Sequence, residues 1–116
     1  MGSWIFREAY KNNVKLLIFL SCSVVYSSAN KKIKEIDFDE RKIPQSYFGG
    51  GWTKVFLEKQ CEFYSNLGKT KFVVIRHSNM YGPNDKFDKR SHMMAANIKK
   101  VYFAKNNSVI KIWGDG

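Results

Sequence analysis

Leu16-Leu17-Ile18-Phe19-Leu20 forms an uninterrupted apolar stretch, and Phe72-Val73-Val74-Ile75 forms another further along the chain. Each stretch has the length and the aliphatic or aromatic content of a strand that is buried on both faces of a parallel sheet. The residues between them are numerous enough for a parallel crossover connection, which needs about a dozen or more. Two parallel strands joined through a helix are therefore expected.

Helical patterns flank these two strands. Trp4–Asn12 carries an apolar stripe, and Trp52–Leu67 carries apolar residues at spacings typical of one helix face, with Gly68 as the expected stop. The pattern then predicts a helix over Met93–Lys105 and a third buried strand over Val109–Trp113.

The chain therefore alternates helix, strand, helix, strand, helix, strand, with a polar loop expected from Ser27 to Gly51. This order predicts an α/β fold with three parallel strands and right-handed crossovers. Nothing in residues 1–116 indicates an internal repeat or a change in composition. Three parallel strands leave much apolar surface uncovered, so we expect part of a larger domain, truncated at both ends.

Composition limits the class of protein. Hydrophobic residues make up 44% of the chain, which is ample for a core. The apolar region from Val14 to Val25 contains a lysine and serines, so we expect no membrane span, and the absence of a signal sequence predicts a cytoplasmic protein. Cys22 and Cys61 are too few and too far apart to indicate a disulfide framework or a zinc site.

The formal net charge of +10 raises the possibility of a basic nucleic-acid-binding domain. The lysines are scattered, however, and do not alternate with stacking aromatic residues. We therefore expect no nucleic-acid partner. The same positive charge also suits a substrate that carries a diphosphate.

The segment Arg76–Asp85, which reads RHSNMYGPND, resembles the R-x-x-N-x-Y-G-P segment of extended short-chain dehydrogenases, the NAD-dependent epimerase/dehydratase family. Phe19–Tyr26 is similar to the family's strand-and-loop segment F-I-S-S-x-S-V-Y, and Trp52-Thr53-Lys54 resembles the helix that bears the active-site lysine. Two later segments, Asp85–His92 and Ile112-Trp113-Gly114, are similar to the GDP-L-fucose synthase group of this family.

The resemblance implies that residues 1–116 are the C-terminal half of a dinucleotide-binding Rossmann domain, with the start of a substrate-binding region. It implies NADP or NAD as the cofactor of the full-length protein, bound across the carboxyl ends of the strands. The family's glycine-rich phosphate loop is expected upstream of Met1. The implied substrate is a nucleotide sugar with a 4-keto group, reduced or epimerised by hydride transfer, and the full-length protein is expected to be a homodimer.

The same resemblance identifies Lys54 as the active-site lysine, which in this family lowers the pKa of a tyrosine four residues earlier. That position is Gly50, which has no proton to donate, so the chain is expected to be inactive as it stands. The nearest phenol is Tyr47, seven residues before Lys54. A slip of the intervening glycines is the alternative that would bring it close.

The family's Ser or Thr, which stabilises the developing oxyanion, corresponds to Cys22. A thiol is a weak donor, so the flanking hydroxyls of Ser21 and Ser23 are candidates, and Ser23 is favoured. The alternative for Cys22 is a small buried residue that packs the end of the strand.

His92 corresponds to the acid/base histidine of fucose synthase-like enzymes. The partner cysteine of that histidine corresponds here to Val24, so the pair for epimerisation is incomplete. The alternative is that His92 lies at a helix N-terminus capped by Ser91.

The remaining candidates are assigned by the resemblance to the two ligands. Expected contacts with the cofactor come from Lys54, Asn79, His77 and Ser21. Expected contacts with the substrate come from Lys100, Trp113 and Met93.

Two classes of function remain open. The first is a piece of an NAD(P)-dependent nucleotide-sugar epimerase, reductase or dehydratase. The second is a non-catalytic binding or interaction module on the same fold, which Gly50 and Val24 favour.

Overall fold

The computed structural model describes residues 2–26 and 32–112. These residues belong to two compact units, Met1–Ser78 and Asn79–Gly116.

The first unit contains two helices and a two-stranded parallel sheet. The helices are α1 (Gly2–Lys11) and α2 (Phe48–Asn66), and the strands are β1 (Leu16–Cys22) and β2 (Lys71–His77). The strands pair in parallel from Leu16 opposite Lys71 to Cys22 opposite His77. The predicted α/β order and the parallel pairing are thus confirmed, and both strands extend beyond their apolar stretches because the ladder continues through polar residues.

The core of this unit lies between the two helices and one face of the sheet, here called the inner face. Phe6 of α1 is 2% exposed, and its ring makes edge contacts with Phe19 and Phe72 at centroid distances of 5.4 and 5.7 Å. Cys61 brings α2 into the same cluster. Both helices therefore cover the inner face.

The opposite face of the sheet, here called the outer face, is apolar but half exposed. Leu16, Ile18, Leu20 and Ile75 are 49%, 53%, 51% and 44% exposed. The prediction that the strands are buried on both faces is therefore wrong in the part of the chain that the structure describes. Both helices pack against the inner face, so the alternate side chains of β1 and β2 remain open.

Helix α2 begins at Phe48, four residues before the predicted start at Trp52. A 3₁₀ turn at Gln45–Tyr47 leads directly into the helix. The three consecutive glycines, residues 49–51, therefore lie in the first turn of the helix rather than at the end of a loop. Other 3₁₀ turns in this connection are Ser23–Val25, Glu35–Asp37 and Glu40–Lys42. Gly68, with φ of +84°, follows the C-terminal end of α2, as expected of a glycine stop.

The second unit contains α3 (Met93–Tyr102), which ends three residues before the predicted Lys105. The predicted third strand is wrong for residues 109–112, which have no regular secondary structure. Val109 is 97% exposed there. An apolar run becomes a strand only when a neighbouring strand supplies its hydrogen bonds, which explains why these residues form none. Trp113 lies outside the described residues.

The part of the chain that is described thus has a parallel two-stranded α/β core. Within that part, no helix is both long enough and apolar enough to cross a bilayer.

Candidate active site

Lys54 projects from the second turn of α2 towards the carboxyl end of β1. Its Nζ donates a hydrogen bond to the carbonyl oxygen of Leu20 at 2.8 Å and lies 5.1 Å from the centroid of the Phe19 ring. An ammonium carries three N–H donors, so this contact leaves donors for a ligand. The carboxyl edge of the strands is where open α/β sheets bind ligands.

Gly50 lies one helical turn before Lys54 and faces open space. A Cβ atom built on Gly50 meets nothing within 4 Å, and the same is true of Gly49. A Cβ on Gly51 would lie 2.6 Å from Cγ2 of Ile43, so that glycine is required by a close approach of the preceding loop. The three glycines therefore differ: Gly51 is needed for packing, whereas position 50 has room for a side chain.

Tyr47 immediately precedes α2 and is 53% exposed. Because the three glycines are helical, they form no loop that could slip. Seven residues of α-helix rise about 10 Å along the axis, so two full turns separate Tyr47 from Lys54. The structure therefore gives no support to Tyr47 as a substitute for the tyrosine that the resemblance leads us to expect at position 50.

The three polar residues at the end of β1 have different environments. Ser21 is fully buried on the inner face, where its hydroxyl donates to Oε1 of Glu58. Cys22 is partly buried, and Ser23 is exposed at the start of a 3₁₀ turn. Among these, Ser23 has the hydroxyl that is most accessible to a ligand.

A network that the sequence analysis did not identify joins Glu58 of α2 to Arg76 of β2. Nε of Arg76 donates to both carboxylate oxygens of Glu58 at 3.1 Å, and Nη2 donates to Oε2 at 2.6 Å. The two side chains are 20% and 10% exposed. Nη1 of Arg76 also donates to the hydroxyl of Tyr26 at 2.9 Å.

The guanidinium of Arg76 is also covered by aromatic rings. Its Cζ lies 4.0 Å from the centroid of Phe38 and 5.2 Å from that of Tyr26. The hydrogen bonds to Glu58 raise the pKa of Arg76, so the cation is retained despite its burial. One signal in the sequence could have indicated this network, because an arginine that directly follows an apolar stretch of strand residues needs a carboxylate partner when it is buried.

His77 ends β2 and lies opposite Cys22 in the parallel register. Its Nδ1 is 2.7 Å from the carbonyl oxygen of Ser78, a distance that fits a proton on Nδ1. The structure thus brings His77 next to Cys22 and Lys54 next to Leu20. It also places the Ser23–Val25 turn next to α2. These candidates share the carboxyl end of one sheet.

The second unit carries the remaining described candidates. Asn79 is exposed in irregular chain, and His92 is the exposed N-cap residue of α3, with its carbonyl accepting from the amide of Ala96 at 2.9 Å. The hydroxyl of Ser91 donates to the carbonyl of Asp88, so Ser91 does not cap the helix. Met93 is 59% exposed, and Nζ of Lys100 donates to the carbonyl of Lys111 at 2.9 Å. Trp113, the other substrate candidate, lies outside the described residues.

Comparison with protein-family models gives a match over residues 2–116 to the NAD dependent epimerase/dehydratase family. The chain belongs to this family. The epimerase/dehydratase assignment agrees with the resemblance that was found in the Arg76–Asp85 motif.

Within the epimerase/dehydratase family, the chain is similar to enzymes named for GDP-linked sugars. The chain is 28% identical over 120 residues to GDP-L-fucose synthase of Sinorhizobium fredii and 30% identical over 121 residues to GDP-L-colitose synthase of Yersinia pseudotuberculosis. All of the chain is covered in both cases, but only 38% and 39% of the relatives. A solved structure named DdhaC is 27% identical, with a TM-score of 0.74 over 87% of this chain and 30% of that one. The chain thus spans less than two fifths of the length of these relatives.

Proposed function

We propose that the full-length protein is an NAD(P)-dependent epimerase, reductase or dehydratase for a 4-keto nucleotide sugar, and that this chain supplies its lysine. The observation that carries the proposal is Lys54, whose Nζ is hydrogen-bonded to the carbonyl of Leu20 at the carboxyl end of β1. The GDP-sugar names of two relatives support a GDP-linked substrate.

The residues of the chain fit a nicotinamide cofactor at this edge, because Lys54 retains free donors and position 50 is open. The cofactor, when bound, supplies or accepts the hydride. The role of Lys54 is to hold a positive charge near the cofactor and near the group that protonates the alkoxide. Ser23, with an exposed hydroxyl, is the proposed donor to the carbonyl oxygen.

Glycine at position 50 lacks the phenol that would donate the proton in this chemistry. Reduction of a ketone leaves an alkoxide, and general acid catalysis typically contributes about 10²- to 10⁴-fold to the rate of such a step. With glycine at position 50, we propose that binding is retained while turnover is very low. Val24, in place of the expected cysteine partner of His92, further disfavours epimerisation.

The test is a tyrosine at position 50 of the full-length protein. Gly50→Tyr is expected to raise kcat for a GDP-linked 4-keto sugar by at least about 100-fold, because it places a phenol one turn before Lys54. Gly49→Tyr is the matched control, since position 49 is equally open but lies on a different side of the helix. Removing the ammonium by Lys54→Met in the Gly50→Tyr background is expected to abolish the gain.

Two results would contradict this assignment. One is a full-length protein with Gly50 that already turns over as fast as the Gly50→Tyr variant. The other is an equal gain in the Gly49→Tyr control.

A non-catalytic binding module on the same fold is the second candidate, and Gly50 is the observation that favours it. This candidate predicts that NADPH binds to the full-length protein, while Gly50→Tyr produces no turnover on any GDP-linked 4-keto sugar. Fluorescence titration with NADPH, carried out beside the kinetic assay, separates the two candidates.

A further inference from the structure

The Ser23–Val25 turn is attached at both ends to the same ion pair. Ser21, two residues before the turn, donates its hydroxyl to Oε1 of Glu58. Tyr26, directly after the turn, accepts from Nη1 of Arg76 at 2.9 Å. Its amide also donates to the carbonyl of Ser23 at 3.1 Å, which closes the turn.

The ion pair itself is well suited to act as an anchor. Arg76 makes three hydrogen bonds to the Glu58 carboxylate, and both side chains are at least four fifths buried. Phe38 covers the guanidinium at 4.0 Å and shields it from water. A charge-assisted fork of this kind fixes direction as well as distance.

The anchor is also connected to Lys54. Glu58 follows Lys54 by one turn of α2, so the carboxylate and the ammonium are carried by the same rigid helix. Lys54 in turn donates to Leu20, the residue before Ser21. The turn that carries Ser23 is therefore held against the part of α2 that carries Lys54.

We infer that the Glu58–Arg76 pair is a positioning element, which fixes the Ser23 hydroxyl relative to Lys54 by holding both ends of the Ser23–Val25 turn. The role of Ser23 in this inference rests on the proposed function. The mechanical part, that the turn is held by the pair, does not.

Loss of the pair is expected to lower kcat more than it raises KM. A hydrogen bond from Ser23 strengthens as charge develops on the carbonyl oxygen. Displacing the hydroxyl therefore reduces the stabilisation of the transition state more than it reduces the binding of the substrate. A misplacement of about 1 Å can cost about 100-fold in rate. Most of the nucleotide-sugar contacts are expected to be unaffected.

The experiment uses the full-length protein in the Gly50→Tyr background with three graded variants. Arg76→Gln removes the charge, Arg76→Lys keeps the charge but not the fork, and Tyr26→Phe removes only the hydroxyl. Arg41→Gln is the matched control, because Arg41 also forms a forked pair, with Asp39, but its side chain is 85% exposed. The readouts are hydrogen exchange at the Tyr26 amide, kcat and KM.

We expect Arg76→Gln to accelerate exchange at the Tyr26 amide by at least about 10-fold and to lower kcat by about 10- to 100-fold, with KM changed less than about 3-fold. The exchange rates and kcat values of Tyr26→Phe and Arg76→Lys are expected to lie between those of Arg76→Gln and those of the parent. Tyr26→Phe keeps the ion pair, so it remains informative if Arg76→Gln does not fold. Arg41→Gln is expected to match the parent in all three readouts.

Unchanged exchange at Tyr26 in the Arg76→Lys and Tyr26→Phe variants would overturn the inference. Faster exchange with unchanged kcat would overturn it as well, because the turn would then be held without any effect on Ser23. If the Gly50→Tyr background has no activity at all, the proposed function fails, and the exchange data alone decide whether the pair holds the turn.

Discussion

The inner and outer faces of the β1/β2 sheet are both apolar, yet only one of them is packed. Inner-face Phe72 is 8% exposed, whereas outer-face Ile18 and Leu20 are 53% and 51% exposed. Both helices lie against the inner face. The apolar character of a strand therefore indicates that both of its faces can be buried. The positions of the helices decide which face is buried.

The inner face also changes character along its length. Near the start of the strands it contains Leu17 and Phe72, and at the carboxyl end it contains Ser21 and Arg76 with Glu58 between them. Apolar contacts stabilise the first part, and hydrogen bonds and an ion pair organise the second. Substitutions at matched positions can test how differently these regions contribute.

The largest effect is expected at the centre of the apolar part. Phe6→Ala should lower the free energy of unfolding by about 3–5 kcal/mol, because it removes a buried ring and its contacts with Phe19 and Phe72. Ile18→Ala on the outer face should cost only about 1 kcal/mol, since that side chain is already half in water. Urea denaturation of both variants measures the difference. Equal losses would mean that the outer face is packed in solution.

A smaller effect is expected at the polar end of the inner face. Glu58→Ala should cost about 3 kcal/mol, because it leaves the largely buried Arg76 guanidinium unpaired. Glu62→Ala is the matched control on the same helix, where the carboxylate pairs with Lys59 at 3.4 Å and both side chains are more than 60% exposed. That change should cost less than about 1 kcal/mol. Similar losses in the two variants, measured by urea denaturation, would argue against a structural role for the Glu58–Arg76 pair.

The smallest effect concerns pH. Burial, with a further contribution from the charge of Glu58, raises the pKa of the Cys61 thiol from 9.0 to about 11. Above pH 9.0 the unfolded chain releases this proton while the folded chain retains it, so stability due to Cys61 is present below pH 9.0 and is lost as the pH rises towards about 11.

The measurement is the difference in unfolding free energy between the wild type and Cys61→Ala at a series of pH values. Because the other titrating groups are common to both proteins, their contributions cancel. The difference is expected to be constant up to pH 9.0 and to shrink above it. A difference that stays constant up to pH 11 would mean that Cys61 is accessible to solvent.

The sequence by itself determined the two strands, their parallel connection and the family. Apolar runs of strand length and helical spacing are local properties, so they are read directly from the chain, and the Arg76–Asp85 motif is equally local. The family resemblance implied that Gly50 lies one helical turn before Lys54, whereas the apolar pattern began the helix only at Trp52; the structure places both residues in α2. Boundaries were less certain, as the start of α2 at Phe48 illustrates.

Only the tertiary structure decided which apolar surfaces are covered and which polar groups meet. The run at residues 109–112 is apolar except for Lys111, but it forms no strand there because strand formation needs a neighbouring strand that the local pattern cannot specify. Ser21, Tyr26, Glu58 and Arg76 are spread over more than fifty residues of sequence, and the parallel register and the packing of α2 bring them together. Hydrogen bonds between distant residues depend on the path of the whole chain, which is why the sequence indicated the lysine of this site but not the ion pair that lies beside it.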